Sequence, residues 1–410
     1  MISLDEARQF VLRGLEPLVP TQLRLADALD CVAAEVVTAR EPSPRFANSA
    51  MDGFALRAID TEGGSVRLRI VDAIFAGDVA AIHVGEGEAV RIMTGAPIPE
   101  GADSVTMREE ATVDPDGATV VIQRAARAGE FVRLVGEDVT VGQAILAPGD
   151  HLGPALLGVM ASQGVTSVLA HPRPRVGVLS TGNELSDDAG ALTPGKIRDS
   201  NRPSLLASLQ QSGFTPVDLG IVGDTPGEIT AAFQRGVHDC DAIISTGGVS
   251  VGDADFVKSV LGELCGENAS SMQVAIRPGK PFAFGVAPSG IPFFGLAGNP
   301  VSTLVGFELF VRPALRLLAG FKELDRPTIN MVLDCAMPRR RDGKLHLVYV
   351  VARVHDDGRI HVENVARQAS HLLSAITGAN AIAMVPDGDG LDVGEMVAAM
   401  ILDATQLNGA

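Results

Sequence analysis

Five short apolar runs in the middle of the chain each end in a turn that contains glycine and polar residues. They cover residues 176–179, 217–222, 242–244, 274–276 and 292–296. Helical patterns separate them, so residues 171–323 are predicted to form a three-layer α/β domain around a mostly parallel sheet. Because ligands bind outside the carboxyl ends of parallel strands, we expect the five turns to share one edge of the sheet and to form one site.

The N-terminal segment has a helical and mixed pattern. Ser3 and Glu6 have the spacing of a capping box, which predicts a helix start, and residues 23–37 are predicted to form a second helix. We group residues 1–45 with residues 139–170 as one unit, because a small β domain interrupts it.

Two regions have the short strands and glycine turns of small β domains. We assign residues 46–138 to an inserted β domain and residues 324–410 to a C-terminal β domain. The predicted strands are 66–73, 88–93, 104–107 and 118–125 in the first domain, and 345–351, 360–362 and 381–385 in the second. The expected fold class is therefore α/β multidomain.

Composition narrows the choice of ligand. With 33 Lys and Arg against 50 Asp and Glu, the 410-residue chain has a net charge of −17, which repels polyanions such as nucleic acid. A small anion could still bind where cations and backbone amides collect. The neighbourhood of the glycine turns supplies such cations in Arg198, Arg202, Arg277 and Lys280.

The cysteines and the apolar runs bear on location. The four cysteines form no metal-type pair, which is typical of buried thiols in a reducing compartment. The first residues lack the pattern of a secretory signal, and no apolar run reaches the length of a membrane span. We therefore expect a cytoplasmic protein with no membrane partner.

Four carboxylates lie in or beside glycine turns: Asp52, Glu184, Asp224 and Asp255. Each, taken alone, could simply cap a helix or carry a solvated charge. Three of them fall at the same predicted sheet edge, where carboxylates beside an anionic ligand would suit a hard cation such as Mg²⁺.

Backbone amides and hydroxyl groups complete the predicted anion site. Gly247 and Gly248 let the backbone approach a phosphate, Thr94 and Ser250 offer hydroxyl donors, and Lys280 lies in a proline-stiffened turn. The chain has no Walker A sequence, no dinucleotide fingerprint and no recognisable nucleophile triad. The residues predict a cation-assisted site for a phosphate-bearing small molecule.

Eight motifs, in order along nearly the whole chain, resemble those of the molybdopterin molybdenumtransferases, which are bacterial MoeA-type proteins similar to the E domain of gephyrin. The motifs are NSAMDGFA, RIMTGAP, STGNEL, RDSNRPSLL, GIVGDTP, STGGVSVGDADF, RPGKPFAFG and GNPVS. The resemblance implies a homodimer of four-domain chains with a molybdopterin-binding-like α/β domain. It also implies contacts with the pterin adenylyltransferase and with acceptor molybdoenzymes.

The reaction implied by the resemblance inserts molybdenum from molybdate into adenylylated molybdopterin, with Mg²⁺-assisted cleavage and release of AMP. It implies catalytic roles for Asp52, Glu184, Asp224 and Asp255, of which Glu184 and Asp224 would hold the metal. The implied substrate-binding residues are Thr94, Thr181, Gly182, Arg198, Asn201, Gly247, Gly248, Ser250, Arg277, Pro278, Gly279, Lys280, Asn299, Pro300 and Ser370.

The chain departs from the family pattern near the molybdate end. Arg277 and Gln273 stand where lysines are usual, and Tyr349 stands where an arginine is expected. Ala297 replaces the proline of the usual PGNP, and Ala369 replaces a glycine. These changes leave two alternatives open: a paralogue for another oxyanion such as tungstate, and a non-catalytic molybdopterin-binding scaffold.

Overall fold

A computed structural model of the chain describes residues 1–249, 256–365 and 368–407. The α-helices are α1 (Leu4–Leu12), α2 (Pro154–Ser162), α3 (Asn201–Gln211), α4 (Pro226–Asp239), α5 (Phe256–Cys265), α6 (Pro300–Gly306) and α7 (Arg312–Leu318). Short 3₁₀ turns occupy Leu25–Asp27, Ala58–Thr61, Arg108–Glu110, Gly266–Asn268, Leu373–Ile376 and Ala404–Gln406.

The strands are short in the first half of the chain and longer around the central sheet. Up to residue 171 they are β1 (Thr21–Arg24), β2 (Val32–Ala33), β3 (Val37–Thr38), β4 (Asn48–Ser49), β5 (Gly53–Leu56), β6 (Val66–Ile74), β7 (Glu88–Ile92), β8 (Ser104–Met107), β9 (Ala111–Val113), β10 (Thr119–Ile122), β11 (Val132–Arg133), β12 (Ala144–Leu146) and β13 (Ser167–His171). The central strands are β14 (Arg175–Thr181), β15 (Leu185–Ser186), β16 (Ile197–Arg198), β17 (Thr215–Val222), β18 (Ala242–Thr246), β19 (Ala269–Gln273), β20 (Ile276–Arg277), β21 (Pro281–Val286) and β22 (Pro292–Leu296). The C-terminal strands are β23 (Thr328–Leu333), β24 (Met337–Pro338), β25 (Leu345–Val354), β26 (Ile360–Asn364), β27 (Ala381–Val385), β28 (Gly390–Leu391) and β29 (Met396–Ile401).

Backbone contacts divide the chain into two compact units. The first contains residues 1–23, 30–34 and 169–410, and the second contains residues 24–29 and 35–168. The four domain boundaries expected from the sequence are finer than this division and stay predictions.

The central sheet of the first unit has the strand order β17-β14-β18-β22-β21-β19. The first four strands run parallel to one another. β21 pairs in antiparallel fashion with β22 on one side and with β19 on the other. Along β18, Ala242 and Ile244 pack on one side with α3 and the helices after Pro300, while Ile243 packs on the other side with α4 and α5. This confirms the predicted three-layer α/β fold.

One helical rod runs from Pro300 to Leu318, as the sequence predicts. Its middle, Phe307–Val311, is π-helical. α7 follows directly, and Pro313 is its second residue. Proline lacks the amide proton that an α-helix needs at this position, and a local π segment is one way to accommodate it.

The C-terminal strands form a closed barrel. β25 pairs with both β26 and β27, and the pairs β26–β23, β23–β29 and β29–β27 complete the ring. Small and β-branched side chains fill it, among them Val350, Ala352, Val362 and Ala383. Ring closure leaves these strands without an open edge, and it confirms a C-terminal β domain.

The prediction of a helix over residues 23–37 is wrong. This segment forms β1, a 3₁₀ turn at Leu25–Asp27, β2 and the start of β3. Ala33 pairs with Ala170, and Asp30 has a φ of 60°, which an α-helix excludes. Strand pairing with a distant segment therefore overrides the local helix propensity. The predicted capping box of α1, by contrast, is present.

The second unit is built around a six-stranded sheet in the order β8-β5-β7-β6-β10-β9. Each face of this sheet carries its own core, with Val90 and Ile92 on one side and Phe54 and Leu68 on the other. The four strands predicted here are all present, with ends within three residues of their expected positions. Among the described residues, no helix has both the length and the apolar character needed to cross a bilayer.

Candidate functional site

Four parallel strands of the central sheet end at one edge. The pairings Thr181 with Val222, Ser180 with Thr246, and Thr246 with Leu296 place their last residues side by side. The turns that follow begin at Gly182, Gly223, Gly247 and Ala297. Four of the five turns therefore follow parallel strands of this sheet, as the sequence predicts.

The fifth turn reaches the same edge by a different route. Residues 274–276 were predicted to be a strand of the central sheet, and this prediction is wrong. The segment joins antiparallel strands β19 and β21, and β20 pairs with β25 of the barrel. Because Ala283 of β21 faces Gly295 of β22, the start of β21 lies beside the end of β22, and Lys280 therefore lies at this edge.

The glycines after β18 are required by close packing. Gly247 and Gly248 have φ values of 95° and 64°, in the left-handed region that favours glycine. A Cβ on Gly247 would lie 2.5 Å from the carbonyl oxygen of Thr181, and one on Gly248 would lie 2.8 Å from Cγ2 of Val257. The turn after β18 therefore exposes main-chain atoms that no side chain covers.

Two neighbouring turns supply carboxylates. The carboxylate of Glu184 folds back over Gly182, where an added Cβ would lie 2.6 Å from Oε2. Asp224 Oδ2 accepts a hydrogen bond of 3.0 Å from the Asn183 amide, and the Asp224 amide donates to Asn183 Oδ1 at 3.3 Å. Carboxylate oxygens of this kind fit Mg²⁺, which takes one or two of them and fills its other positions with water and phosphate oxygens.

Asn201, at the start of α3, ties two of the turns together. Its Nδ2 donates to Thr246 Oγ1 at 2.8 Å and to the Gly298 carbonyl at 2.7 Å, which fixes the orientation of the amide. Within the described residues its buried Oδ1 has no hydrogen-bond partner. An unsatisfied buried acceptor costs about 1–3 kcal/mol, so this orientation of Asn201 is held at some cost to the stability of the fold.

The two arginines near this edge differ in their surroundings. Arg202 is buried and paired with Asp187, Asp199 and Asp218, so its charge is neutralised within the fold. The expectation that Arg202 contributes to anion binding is therefore wrong. Arg198 is exposed and donates to the carbonyls of residues 189 and 190 at 3.1 and 2.7 Å.

A cleft of about 940 Å³ opens beside the turn of residues 277–280. Its lining includes the expected residues Arg277, Pro278, Gly279, Lys280 and Ser370. Five basic residues and one acidic residue line it, namely Arg277, Lys280, Arg339, Arg340, Lys344 and Asp342. In a chain of net charge −17, this local excess of positive charge favours the binding of an anion.

The sequence reasoning missed the wall of the cleft that residues 337–348 form. Lys344 Nζ and His346 Nε2 lie 3.3 and 3.2 Å from the Asp342 carboxylate. The hydrogen bond with His346 lowers the pKa of Asp342 to about 2. Arg339 is buried and bonded to Asp342 and Asp387, so it supports the wall. The basic run RRRDGK in an acidic chain was the available signal.

Ser370 and Tyr349 occupy different environments. The Ser370 carbonyl accepts a hydrogen bond of 3.0 Å from the Val301 amide, which joins this segment to the start of α6. Tyr349 is only 4% exposed and packs in the core, where burial raises the pKa of its hydroxyl. Gln368 bonds both backbone groups of Tyr349. Tyr349 therefore does not line the cleft. Gln273, the other departure from the family pattern, is exposed at the end of β19.

The second unit carries its own turn carboxylate. Asp52 Oδ1 accepts hydrogen bonds from the Thr94 amide at 2.7 Å and from Thr94 Oγ1 at 2.8 Å. The amide bond, followed by the hydroxyl bond, lowers the pKa of Asp52. The two residues expected from this unit thus form one exposed pair. Ser250 and Asp255 lie outside the described residues.

Comparisons with known proteins agree along the chain. Three family models match: the MoeA N-terminal region (domain I and II) at residues 2–164, a probable molybdopterin binding domain at 177–317, and the MoeA C-terminal region (domain IV) at 336–402. A solved structure of the molybdopterin biosynthesis moeA protein from Pyrococcus horikoshii OT3 has a TM-score of 0.79 and 25% identity. The match covers 98% of this chain and all of that one.

Curated relatives match over nearly their whole lengths. The molybdopterin molybdenumtransferase of Haemophilus influenzae is 37% identical, over 97% of this chain and 98% of that protein. The protein of the same name from Bacillus subtilis is 34% identical, over 98% and 94%. On this identity and coverage, the chain belongs to the molybdopterin molybdenumtransferase family.

Proposed function

We propose that this chain inserts molybdenum from molybdate into adenylylated molybdopterin, with Mg²⁺-dependent cleavage of the phosphoanhydride and release of AMP. The observation that carries the proposal is the basic cleft beside Arg277 and Lys280. It adjoins a sheet edge that carries bare glycine backbone and two carboxylates. The site thus offers separate binding groups for an oxyanion and for a metal-bound phosphate.

The glycine edge would bind the pterin and its phosphates. The Gly247 amide donates to the Leu296 carbonyl at 3.1 Å, so the Gly248 amide and the bare backbone of this turn would face the phosphate, as in other anion-binding turns. Thr181, Gly182, Asn299 and Pro300 belong to the neighbouring turns. Asn201, which bonds both Thr246 and Gly298 through Nδ2, would hold two of these turns in position for the ligand.

Glu184 and Asp224 would hold the magnesium ion. Bound there, Mg²⁺ would neutralise charge on the phosphoanhydride oxygens. The exchange of hydrogen bonds between Asn183 and Asp224 keeps the Asp224 carboxylate in place, so little ordering is needed when the ion binds. Asp255 and Ser250 join the proposed site through the family resemblance alone.

The basic cleft would bind molybdate. A tetrahedral dianion needs cations and hydroxyl donors around it, and Arg277, Lys280, Arg340 and Ser370 line this cleft. The planar guanidinium of Arg277 can bond two oxygens at once, whereas an ammonium acts as a point charge. Arg198 supplies further positive charge on the exposed surface near the pterin edge.

The remaining parts of the proposal rest on the family resemblance. Asp52 and Thr94 are proposed to act on the same substrate, and the working protein is proposed to be a cytoplasmic homodimer. The pterin adenylyltransferase and acceptor molybdoenzymes are its proposed partners. Domains at 1–45 with 139–170, 46–138, 171–323 and 324–410 complete the proposal. Light scattering of the purified protein tests the dimer.

The test is a defined reaction of the purified protein with adenylylated molybdopterin, molybdate and Mg²⁺. We expect AMP release that requires all three components and stops when EDTA removes the metal. Replacing molybdate with tungstate tests the paralogue alternative, since a tungsten enzyme would release AMP faster with tungstate. A scaffold would bind the pterin and release no AMP with either oxyanion.

A further inference from the structure

Three potential metal ligands converge at one end of the C-terminal barrel. Asp334 follows β23, His355 follows β25, and His361 lies on β26. One ligand atom from each lies within 4.8 Å of the others. The basic cleft includes His346 at the start of β25, about 30 Å away along the strand, so this cluster is separate from it.

The hydrogen bonds around His361 orient its ring. Nδ1 lies 2.6 Å from Asp334 Oδ1, and Nε2 lies 3.2 Å from Asp357 Oδ2. His355 Nε2 lies 3.6 Å from the second oxygen of Asp334. Metal-binding histidines almost always donate their other ring N–H to a carboxylate or carbonyl. Asp357 accepts from Nε2 of His361 in this way, and this leaves Nδ1 of His361 directed at Asp334.

We propose that Asp334, His355 and His361 bind a zinc-like divalent ion, with water as the remaining ligand. Two imidazoles and a carboxylate are a donor set that zinc takes with an open fourth position. Mg²⁺ and Ca²⁺ prefer oxygen ligands alone, so imidazole nitrogens favour a transition metal. This inference goes beyond the proposed molybdenum chemistry and uses none of its residues.

Binding requires two defined rearrangements. The rings of His355 and His361 are stacked, with centroids 4.1 Å apart and planes 9° from parallel. Parallel rings cannot both direct a lone pair at one ion, so His355 must rotate. Its side chain is 43% exposed, which leaves room to turn. The ligand positions in a tetrahedral zinc site lie roughly 3.3 Å apart, so the 2.6 Å hydrogen bond between His361 Nδ1 and Asp334 Oδ1 must also open.

The backbone around the three ligands is already fixed. The Asp334 amide donates to the Val362 carbonyl at 3.0 Å, and the His355 amide donates to the Arg359 carbonyl at 2.9 Å. An ion held here would connect the end of β23 to the β25–β26 hairpin. It would bind the folded chain in preference to the unfolded one, so it would raise the melting temperature.

Zinc chloride titrated into the full-length, EDTA-stripped protein tests the proposal by calorimetry and thermal unfolding. We expect one equivalent of zinc at this site and a rise in melting temperature. His361→Ala and His355→Ala should each weaken binding at least about tenfold, and Asp357→Asn about 10- to 100-fold. His355 is the safer variant for folding because its side chain is exposed.

Two control variants separate this site from others. His238 forms an exposed 2.9 Å pair with Asp239, so His238→Ala should leave zinc binding unchanged. Asp224→Asn should also leave it unchanged, even if that variant loses AMP release. The proposal is overturned if the intact protein binds no zinc below about 100 µM, or if both His355→Ala and His361→Ala bind it as the intact protein does.

Discussion

Asn183 and Asp224 hold one another through two hydrogen bonds, each backbone amide donating to the other residue's side chain at 3.0 and 3.3 Å. The Asn183 carbonyl also accepts a hydrogen bond from Lys196. These contacts join the turns after β14 and β17. They hold a carboxylate at the edge where the glycine turns meet.

Asp224→Asn tests the charge of that carboxylate separately from its structural role. The asparagine oxygen can still accept from the Asn183 amide, so we expect the free energy of unfolding in urea to change by less than about 1 kcal/mol. Loss of the negative charge should lower the rate of AMP release at least about 10²-fold. Asp239→Asn, at an exposed helix end, is the matched control. Full activity of Asp224→Asn would refute the proposed metal role.

Gly247→Ala tests the close packing of the turn after β18. The alanine must adopt a left-handed conformation, which costs about 1–2 kcal/mol, and its Cβ meets the Thr181 carbonyl at 2.5 Å, which adds about 1–3 kcal/mol. Gly213 has a φ of 83° with no atom within 4 Å of an added Cβ, so Gly213→Ala should show only the first cost. Equal destabilisation of the two variants in urea unfolding would contradict the packing argument.

Lys280→Ala tests the basic cleft. A charge-assisted hydrogen bond contributes about 1.5–3 kcal/mol, so molybdate binding measured by equilibrium dialysis should weaken about tenfold or more. The effect should shrink as salt rises, because screening weakens the lost interaction. Lys322→Ala, at another exposed lysine, should bind molybdate normally. Unchanged binding by Lys280→Ala would remove this residue from the oxyanion site.

Tyr349→Arg tests whether this position can take the family's arginine. The Tyr349 side chain is 4% exposed in the core, so a guanidinium there would lose its hydration, and the carboxylate that acts on this position, Glu308, is already paired with Arg326. We expect a loss of several kcal/mol in unfolding free energy and no gain in molybdate binding. Tyr349→Phe should stay within about 1.5 kcal/mol of the parent chain. Tighter molybdate binding by a stable Tyr349→Arg protein would show that the position faces the cleft.

The parallel strands of the central sheet were predictable because buried strands form continuous apolar runs between glycine turns. The position of the 274–280 segment was not, since it depends on how β19, β21 and the barrel strand β25 pair over long sequence separations. The same limit applies to residues 23–37, where pairing with residues near Ala170 replaces the expected helix. Local pattern identifies an element only when distant partners favour the same state.

Only those parts of the candidate site that have a distinctive local sequence were predictable. Gly247, Gly248 and Lys280 stood out because glycine and proline restrict the backbone around them. The wall formed by Asp342, Lys344 and His346 did not, because its approach to the 277–280 turn follows from the pairing of β20 with β25. The alternation of β25, which puts His346 at the cleft and Tyr349 in the core, required the three-dimensional register.

A single turnover of the purified protein on adenylylated molybdopterin, with AMP and pterin-bound molybdenum measured in the same sample, tests whether the chain inserts the metal. Molybdenum insertion should release one AMP for each molybdenum atom incorporated, only when molybdate and Mg²⁺ are both present. It is contradicted if molybdopterin stays adenylylated and free of molybdenum under those conditions while the protein remains folded and binds the pterin.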